Sequence, residues 1–421
     1  MTTNQPWQDP SGRNPYAHQV PFRAETNPTW MGRVQPQNYR QAPANPAGAV
    51  TPVVPPALPV ESRRRASAGV LGLVLGAVAV AFMGLFLVLP FLVGNTGIAG
   101  FVIGFVASLI PLGAVLLAVA VIDRWEPEPK RLLIFAFVWG AIGSISVTLL
   151  IQPYFPLIAP PPAGMDFLTF AVTVRAPVVE EFAKSLGLLL LLLLARKHFD
   201  GPVDGIVFAF TIAGGFAFTE NILYFGRAIA ESSDPGTDLA RVFFLRGVMS
   251  PFAHAIFTGA TGLIMGIAAR RWHHGLSVLG FVFGLIPAMI LHSQWNSMGQ
   301  NFLTQYIFIQ VPIFVLAIVV VILLRVAENR LTRQRLLEYS AAGWFTPPEV
   351  AMLATASGRR SAIRWAKSFG RGHQMKAFLR AATQLAFTRQ RILSGRDVQG
   401  HQHDEQRQLR DIVALRAAVA G

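Results

Sequence analysis

The sequence predicts an all-α polytopic membrane protein. About eight transmembrane helices form a bundle between a disordered Pro-rich N-terminal tail and a basic, helical C-terminal region. Three observations predict this. The 421 residues are 52% hydrophobic and 14% charged, against about 25% charged in ordinary soluble domains. No charged residue stands between Ala66 and Val121, and an apolar run of 18 or more residues can cross a bilayer as a helix. Further apolar runs follow as far as Arg325, where the chain turns polar.

Residues 1–62 hold 12 of the 29 prolines, with Gln, Asn and Ala and few large apolar side chains. Such a composition buries too little apolar surface to fold. The tail is placed at residues 1–66 and closes on Arg63-Arg64-Arg65. No early apolar core resembles a signal peptide, so insertion is expected to begin with an internal helix.

The membrane domain is placed at residues 67–325. Its spans lie near 67–94, 97–122, 132–154, 168–195, 203–226, 242–269, 277–298 and 303–324. Loop charges orient them. One set of connections carries Arg63–Arg65, Arg124, Lys130 and Arg131, then Arg196 and Lys197, Arg270 and Arg271, and Arg325 and Arg330. The alternate set has no basic residue at 95–96, 155–167 and 299–302, and only Arg227 and Arg241 in the fifth-to-sixth loop. The positive-inside rule then puts the charged set and both termini in the cytoplasm of a multi-pass cell-membrane protein.

Cysteine is absent, which excludes disulfides, a thiol nucleophile and cysteine-ligated zinc. The net charge of +14 sits in the tails: 7 basic against 3 acidic residues in 1–66, and 16 against 7 in 326–421. Basic segments beside membrane helices point to the anionic lipids of the cytoplasmic leaflet, and no nucleic-acid partner is expected. Within 326–421, stretches near 347–356, 359–368, 374–393 and 402–419 have helical composition. They read as a small cytosolic helical domain, a surface-lying amphipathic helix, or a solvated basic tail.

Polar residues inside the spans carry the functional signal. The fourth span holds Glu180, Glu181 and Lys184, the fifth Glu220 and Asn221, the sixth His254 and Thr258, the seventh His292, Ser293 and Asn296. Asp, Glu and Lys each cost roughly 2.5–3.5 kcal/mol at the centre of a membrane helix. At about 1.5 Å of rise per residue from the cytoplasmic ends, the carboxylates and histidines all lie roughly 23–27 Å deep. In a hydrocarbon core of about 30 Å that is a single layer, in the outer half. Lys184 stands four residues after Glu180 and three after Glu181, so it can neutralise either. Taken singly, Asn221, Thr258 and Asn296 are interhelical hydrogen bonds, a lone histidine is more often structural than catalytic, and Asp204 is interfacial. Three carboxylates and two histidines in one layer favour function.

Such a set suits a zinc site or a carboxylate-activated water. Hydrolytic zinc takes three N/O ligands and keeps a position for water. His254 and His292 would ligate it with a carboxylate, Glu220 or Glu181, of which Glu220 is the one assigned. Another glutamate would serve as general base. Without metal, a glutamate activates water and the histidines polarise the scissile carbonyl. The sequence does not separate these routes. HExxH and GxGD motifs are absent, which disfavours site-2-type and presenilin-type chemistry.

Four motifs carry a resemblance: Glu180-Glu181-Phe182-Ala183-Lys184 (EExxK), Phe216 to Glu220 with trailing Tyr224 (FxxxE), His254 to Thr258 (HxxFT), and His292 to Asn296 (HxxWN). In order and helix placement the chain resembles the PrsW family of intramembrane proteases, distant relatives of CAAX prenyl endopeptidases and bacteriocin-immunity-type proteases. The resemblance covers about residues 68–325. It implies cleavage of single-span, membrane-anchored proteins near their extracytoplasmic side, as in the first cut of an anti-sigma factor. It implies a metalloprotease, while glutamate-protease relatives keep the metal open. Rival readings are a proton- or cation-coupled transporter using the same Glu/His layer, and a non-enzymatic scaffold whose basic tails recruit a partner. A relay would place polar groups at several depths, and here they bunch in one.

Overall fold

A computed structural model describes residues 76, 78–124, 127–272, 274–395 and 398–420. The expected N-terminal tail lies outside these. Among the described residues there are helices and turns and no strand. They fall into two compact units, one ending at Arg325 and one beginning at Val326.

Among the described residues six helices are long and apolar enough to cross a membrane: Val78–Ile122, Lys130–Ile151, Pro202–Ala230, Pro235–Arg271, Gly275–Asn296 and Phe302–Ala341. Six and the expected eight reconcile at two places. Val78–Ile122 is two helices that meet at Gly97, whose φ of 64° is a left-handed conformation that favours glycine. They are α1 (78–96) and α2 (98–122). The fourth expected span is present as α4 (167–194). It is long enough, but Arg175, Glu180, Glu181 and Lys184 make it too charged to count as apolar.

The others are α3 (Lys130–Ile151) and α5 (Pro202–Ala230). The sixth expected span, 242–269, is not one helix. Pro251 has no N–H and disfavours helical backbone at the residue before it. Ser250 accordingly leaves the helix (φ −131°, ψ 34°), and its hydroxyl donates to the Leu245 carbonyl at 2.8 Å. The break gives α6 (235–249) and α7 (Ala253–Arg271), and places His254 in the first turn of α7. Then come α8 (Leu279–Asn296) and α9 (Phe302–Ala341).

Helix α5 is the hub of the membrane unit. Every residue from Pro202 to Phe216 is buried, as expected of a helix apolar all round. Helices α2, α3 and α7 pack on it. The α5–α7 approach is close enough to require glycine: a Cβ on Gly205 would stand 2.0 Å from the Gly262 carbonyl oxygen. This crossing fixes the height of Glu220 against His254. Outward faces stay apolar and exposed, as at Ile98, Leu117, Leu150 and Phe308, where lipid would cover them.

The second unit contains α10 (Pro347–Leu353), α11 (Ala356–Ser368), α12 (Gly372–Leu393) and α13 (Val398–Ala420). They share a core that includes Leu353, Ala362, Met375, Phe378, Leu385 and Ile412. A solvated tail would have no such core. Helix α10 begins in a capping box: the Glu349 N–H donates to the Thr346 hydroxyl at 3.3 Å, and the Thr346 N–H donates to the Glu349 carboxylate at 2.8 Å.

Candidate active site

Four helices bring the polar residues of the spans to one place. Helix α4 contributes Glu180, Glu181 and Lys184, all buried; α5 contributes Glu220, α7 His254 and Thr258, and α8 His292. Every carboxylate, ammonium and imidazole expected in the deep layer joins the cluster, and Asp204, read as interfacial, stays outside it with its carboxylate on the Asp200 N–H.

Glu181 is its fixed point. The carboxylate is fully buried and ion-paired to the Lys184 ammonium. It also accepts from the Thr258 hydroxyl at 2.9 Å and meets His292 Nδ1 at 2.9 Å. Lys184 lies 4.5 Å from the centroid of the Phe216 ring and 3.3 Å from His254 Nδ1. A buried charge is tolerated when paired and hydrogen-bonded on several sides, and Glu181 and Lys184 meet that condition together.

Each histidine is held by a carboxylate. His292 Nδ1 faces Glu181, and His254 Nε2 lies 2.9 Å from Glu220 Oε2. A carboxylate on one ring nitrogen keeps the proton there and leaves the other nitrogen as a lone pair. The nitrogens so freed are His292 Nε2 and His254 Nδ1. The rings stand at 87° with centroids 5.1 Å apart.

Glu180 completes the arrangement. Its Oε2 lies 3.8 Å from His292 Nε2, buried and without a hydrogen-bond partner. One ligand atom each from Glu180, His254 and His292 fall within 4.8 Å of one another. The residues therefore fit a divalent metal: three N/O donors, an orphaned buried carboxylate oxygen, and carboxylates behind both imidazoles. Glu220, expected as the third ligand, is placed differently. It is held by Arg246, Nη2 to Oε2 at 2.5 Å, and backs His254 from the other side.

Arg246 was missed by the sequence reading. It also donates from Nε to Asn221 Oδ1 at 2.9 Å and lies 3.9 Å from the centroid of the Tyr224 ring. An arginine eight residues before His254, inside an otherwise apolar span, was the available signal. Read as one straight helix, the span would carry Arg246 about two turns away from His254. The break at Ser250–Pro251 brings it back. Asn296 serves between helices, as read singly, with Nδ2 donating to the Val172 carbonyl at 2.8 Å; Ser293, given no such role in the sequence, does the same through Oγ to the Thr173 carbonyl at 2.5 Å.

The comparisons fall on this same segment. The family model described as "PrsW family intramembrane metalloprotease" matches residues 128–324, which contain all six site residues. Over residues 128–324 this membrane unit matches the PrsW family. Protease PrsW of Oceanobacillus iheyensis is 28% identical over 228 residues, 53% of this chain and 95% of that protein. Protease PrsW of Clostridioides difficile is 31% identical over 160 residues, 38% of this chain and 63% of its own length. Protease PrsW of Shouchella clausii is 27% identical over 214 residues, 50% of this chain and 89% of that protein. No solved structure is significantly similar. The matches support a multi-pass intramembrane protease, and the site residues lie inside the matched segment.

Proposed function

We propose that the protein hydrolyses a peptide bond in single-span membrane proteins at the Glu180–His254–His292 cluster, near the extracytoplasmic side of the cell membrane. An anti-sigma factor is a substrate of this kind. The observation that carries the reading is Glu180 Oε2, a carboxylate oxygen buried beside two imidazoles with no hydrogen-bond partner of its own. An unmet buried carboxylate oxygen is costly. A bound cation or a water proton would satisfy it.

The donor set suits zinc, with Glu180, His254 and His292 as ligands. When bound, zinc would polarise the scissile carbonyl and lower the pKa of its water. The chain's own residues divide the remaining work. Glu181 and Glu220 hold the proton on the far nitrogen of each imidazole and so aim the near one. Lys184 neutralises Glu181, and Arg246 neutralises Glu220, so that neither carboxylate carries an uncompensated charge into the site. Thr258 fixes the rotamer of Glu181 from α7. Both termini face the cytoplasm, and the basic residues of 326–421 lie close to anionic lipid.

The test is cleavage of single-span membrane peptides by purified wild type and Glu180→Gln. The amide keeps the shape of Glu180 and loses its charge and basicity. Loss of cleavage in a folded variant supports the reading, and full activity removes Glu180 from the chemistry.

A further inference from the structure

A groove of about 400 Å³ opens between α4 and α8, lined by Thr173, Pro177 and Val178 on one wall and Met289, Ser293 and Gln294 on the other. Its volume falls in the range of ligand clefts. It adjoins the site on both helices: Pro177 precedes Glu180 by about one turn, and Ser293 and Gln294 directly follow His292. Ile290 on the α8 wall is exposed, so the groove opens on a face that lipid would cover.

One end of the groove is clasped. Pro177 has no N–H, which leaves the carbonyls four and five residues earlier, Thr173 and Val172, short of a helical donor. Ser293 and Asn296 supply those donors, as side chains do where a membrane helix is interrupted. Gln294, between them in sequence, is different. Its amide nitrogen and amide oxygen are both buried and both lack a hydrogen-bond partner. Each unmet group is costly, and an occupant offering one acceptor and one donor would recover that cost.

We propose that this groove receives an unwound, extended segment of the substrate's membrane span, and that Gln294 positions it by pairing with its backbone. The proposal rests on the hydrolytic reading above and names the substrate conformation it takes. A helical span satisfies its own N–H and C=O groups internally and has no backbone group to offer an amide. An extended segment presents a free N–H and a free C=O, the match for a primary amide. The same unwinding exposes a scissile carbonyl one helical turn from Glu180.

The test uses full-length Glu180→Gln protein with a photo-crosslinking phenylalanine analogue at Met289, or at the exposed Leu150 of α3 as control. The probes are two synthetic single-span peptides that differ at one site in the outer third of the span, Gly-Gly in one and Leu-Leu in the other. The Gly-Gly peptide should crosslink at Met289 at least fivefold more than the Leu-Leu peptide, with neither captured at Leu150. Adding Gln294→Leu, or Gln294→Met as a second variant, should remove that preference while the thermal midpoint does not fall. Equal capture of both peptides, no capture at Met289, or a preference that survives both substitutions would overturn the proposal. Capture is read without cleavage, so a Glu180→Gln protein that still cleaves would instead sink the hydrolytic reading.

Discussion

Glu181 Oε1 lies 2.9 Å from His292 Nδ1, joining α4 to α8 through a carboxylate that also holds Lys184 and Thr258. Glu180, its neighbour in sequence, has an oxygen with no hydrogen-bond partner. Adjacent and identical side chains are thus set to opposite tasks, one saturated with contacts and one left open. The difference predicts that their conservative substitutions will separate. Glu180→Gln should abolish cleavage and leave the thermal midpoint within a degree or two. Glu181→Gln should abolish cleavage and lower the midpoint, because it leaves the Lys184 ammonium buried without its counter-ion. Lys184→Met should also destabilise, by about 3–5 kcal/mol, the cost of stranding one partner of a buried pair. Thermal unfolding in detergent alongside a cleavage assay reads both effects, and equal stability of the Glu180 and Glu181 variants would refute the division.

Arg246 offers a second separation. Its guanidinium reaches Glu220 and Asn221 with different nitrogens while lying over Tyr224. Lysine carries the charge but cannot fork or stack in this way. Arg246→Lys should therefore slow cleavage about tenfold, and Arg246→Met by more than a hundredfold, since Glu220 is then free to recruit His254 as a cation. Wild-type rates in Arg246→Met would remove Arg246 from the site.

The α5–α7 crossing predicts a change that acts on the site without touching it. A Cβ on Gly262 would stand 2.2 Å from the Gly205 carbonyl oxygen and 2.7 Å from Ala209 Cβ. Gly262→Ala should cost about 1–3 kcal/mol, the usual range for overpacking, and move His254 off Glu220. Gly113→Ala, with nothing within 4 Å of the added atom, should leave stability and cleavage unchanged. Two indistinguishable melting curves would show that α5 and α7 can spread at no cost.

Much of this was legible in the sequence, for reasons that particular residues make plain. Hydropathy found the spans because an apolar run either reaches membrane length or does not. It placed the first boundary at 95–96, where Gly97 breaks the chain. The C-terminal helices near 347–356, 359–368, 374–393 and 402–419 appear as 347–353, 356–368, 372–393 and 398–420; composition located them, while the Thr355 cap that starts the second lay inside the first expected stretch. Depth counting brought Glu180, Glu181, Glu220, His254 and His292 into one layer. What it could not give is azimuth. Whether Glu180 or Glu220 faces the two imidazoles depends on the rotation of α4 and α5 and on the position of Arg246. That position in turn depends on a break at Ser250–Pro251 that hydropathy runs straight through.

The loop charges predict how the chain is threaded. Reporter fusions after residues 160 and 234 should read as extracytoplasmic, and fusions after 128, 199, 273 and 335 as cytoplasmic. One inverted reporter between 155 and 275 would move the site to the inner half of the membrane, because depth was counted from the assigned cytoplasmic ends.

The last prediction concerns the metal. Two imidazoles with centroids 5.1 Å apart, each backed by a carboxylate on its far nitrogen, can converge on one ion, with Zn–N bonds of about 2.0–2.1 Å. Ligand atoms spread over as much as 4.8 Å must draw in slightly to do so. The contact to yield is Lys184 with His254 Nδ1 at 3.3 Å, since Lys184 keeps Glu181 and the Phe216 ring without it. Purified wild type should therefore carry about one equivalent of zinc, lose it and its activity together to a strong chelator, and regain both when zinc is restored. His254→Ala, His292→Ala and Glu180→Gln should each purify with little zinc. Glu220→Gln should retain most of it, since that carboxylate faces Arg246 and the outer nitrogen of His254. Metal analysis of these proteins gives the answer without a substrate. Full zinc in Glu180→Gln with none in Glu220→Gln would return the third ligand to Glu220, and activity unmoved by chelation in a zinc-free protein would leave Glu180 to activate water alone.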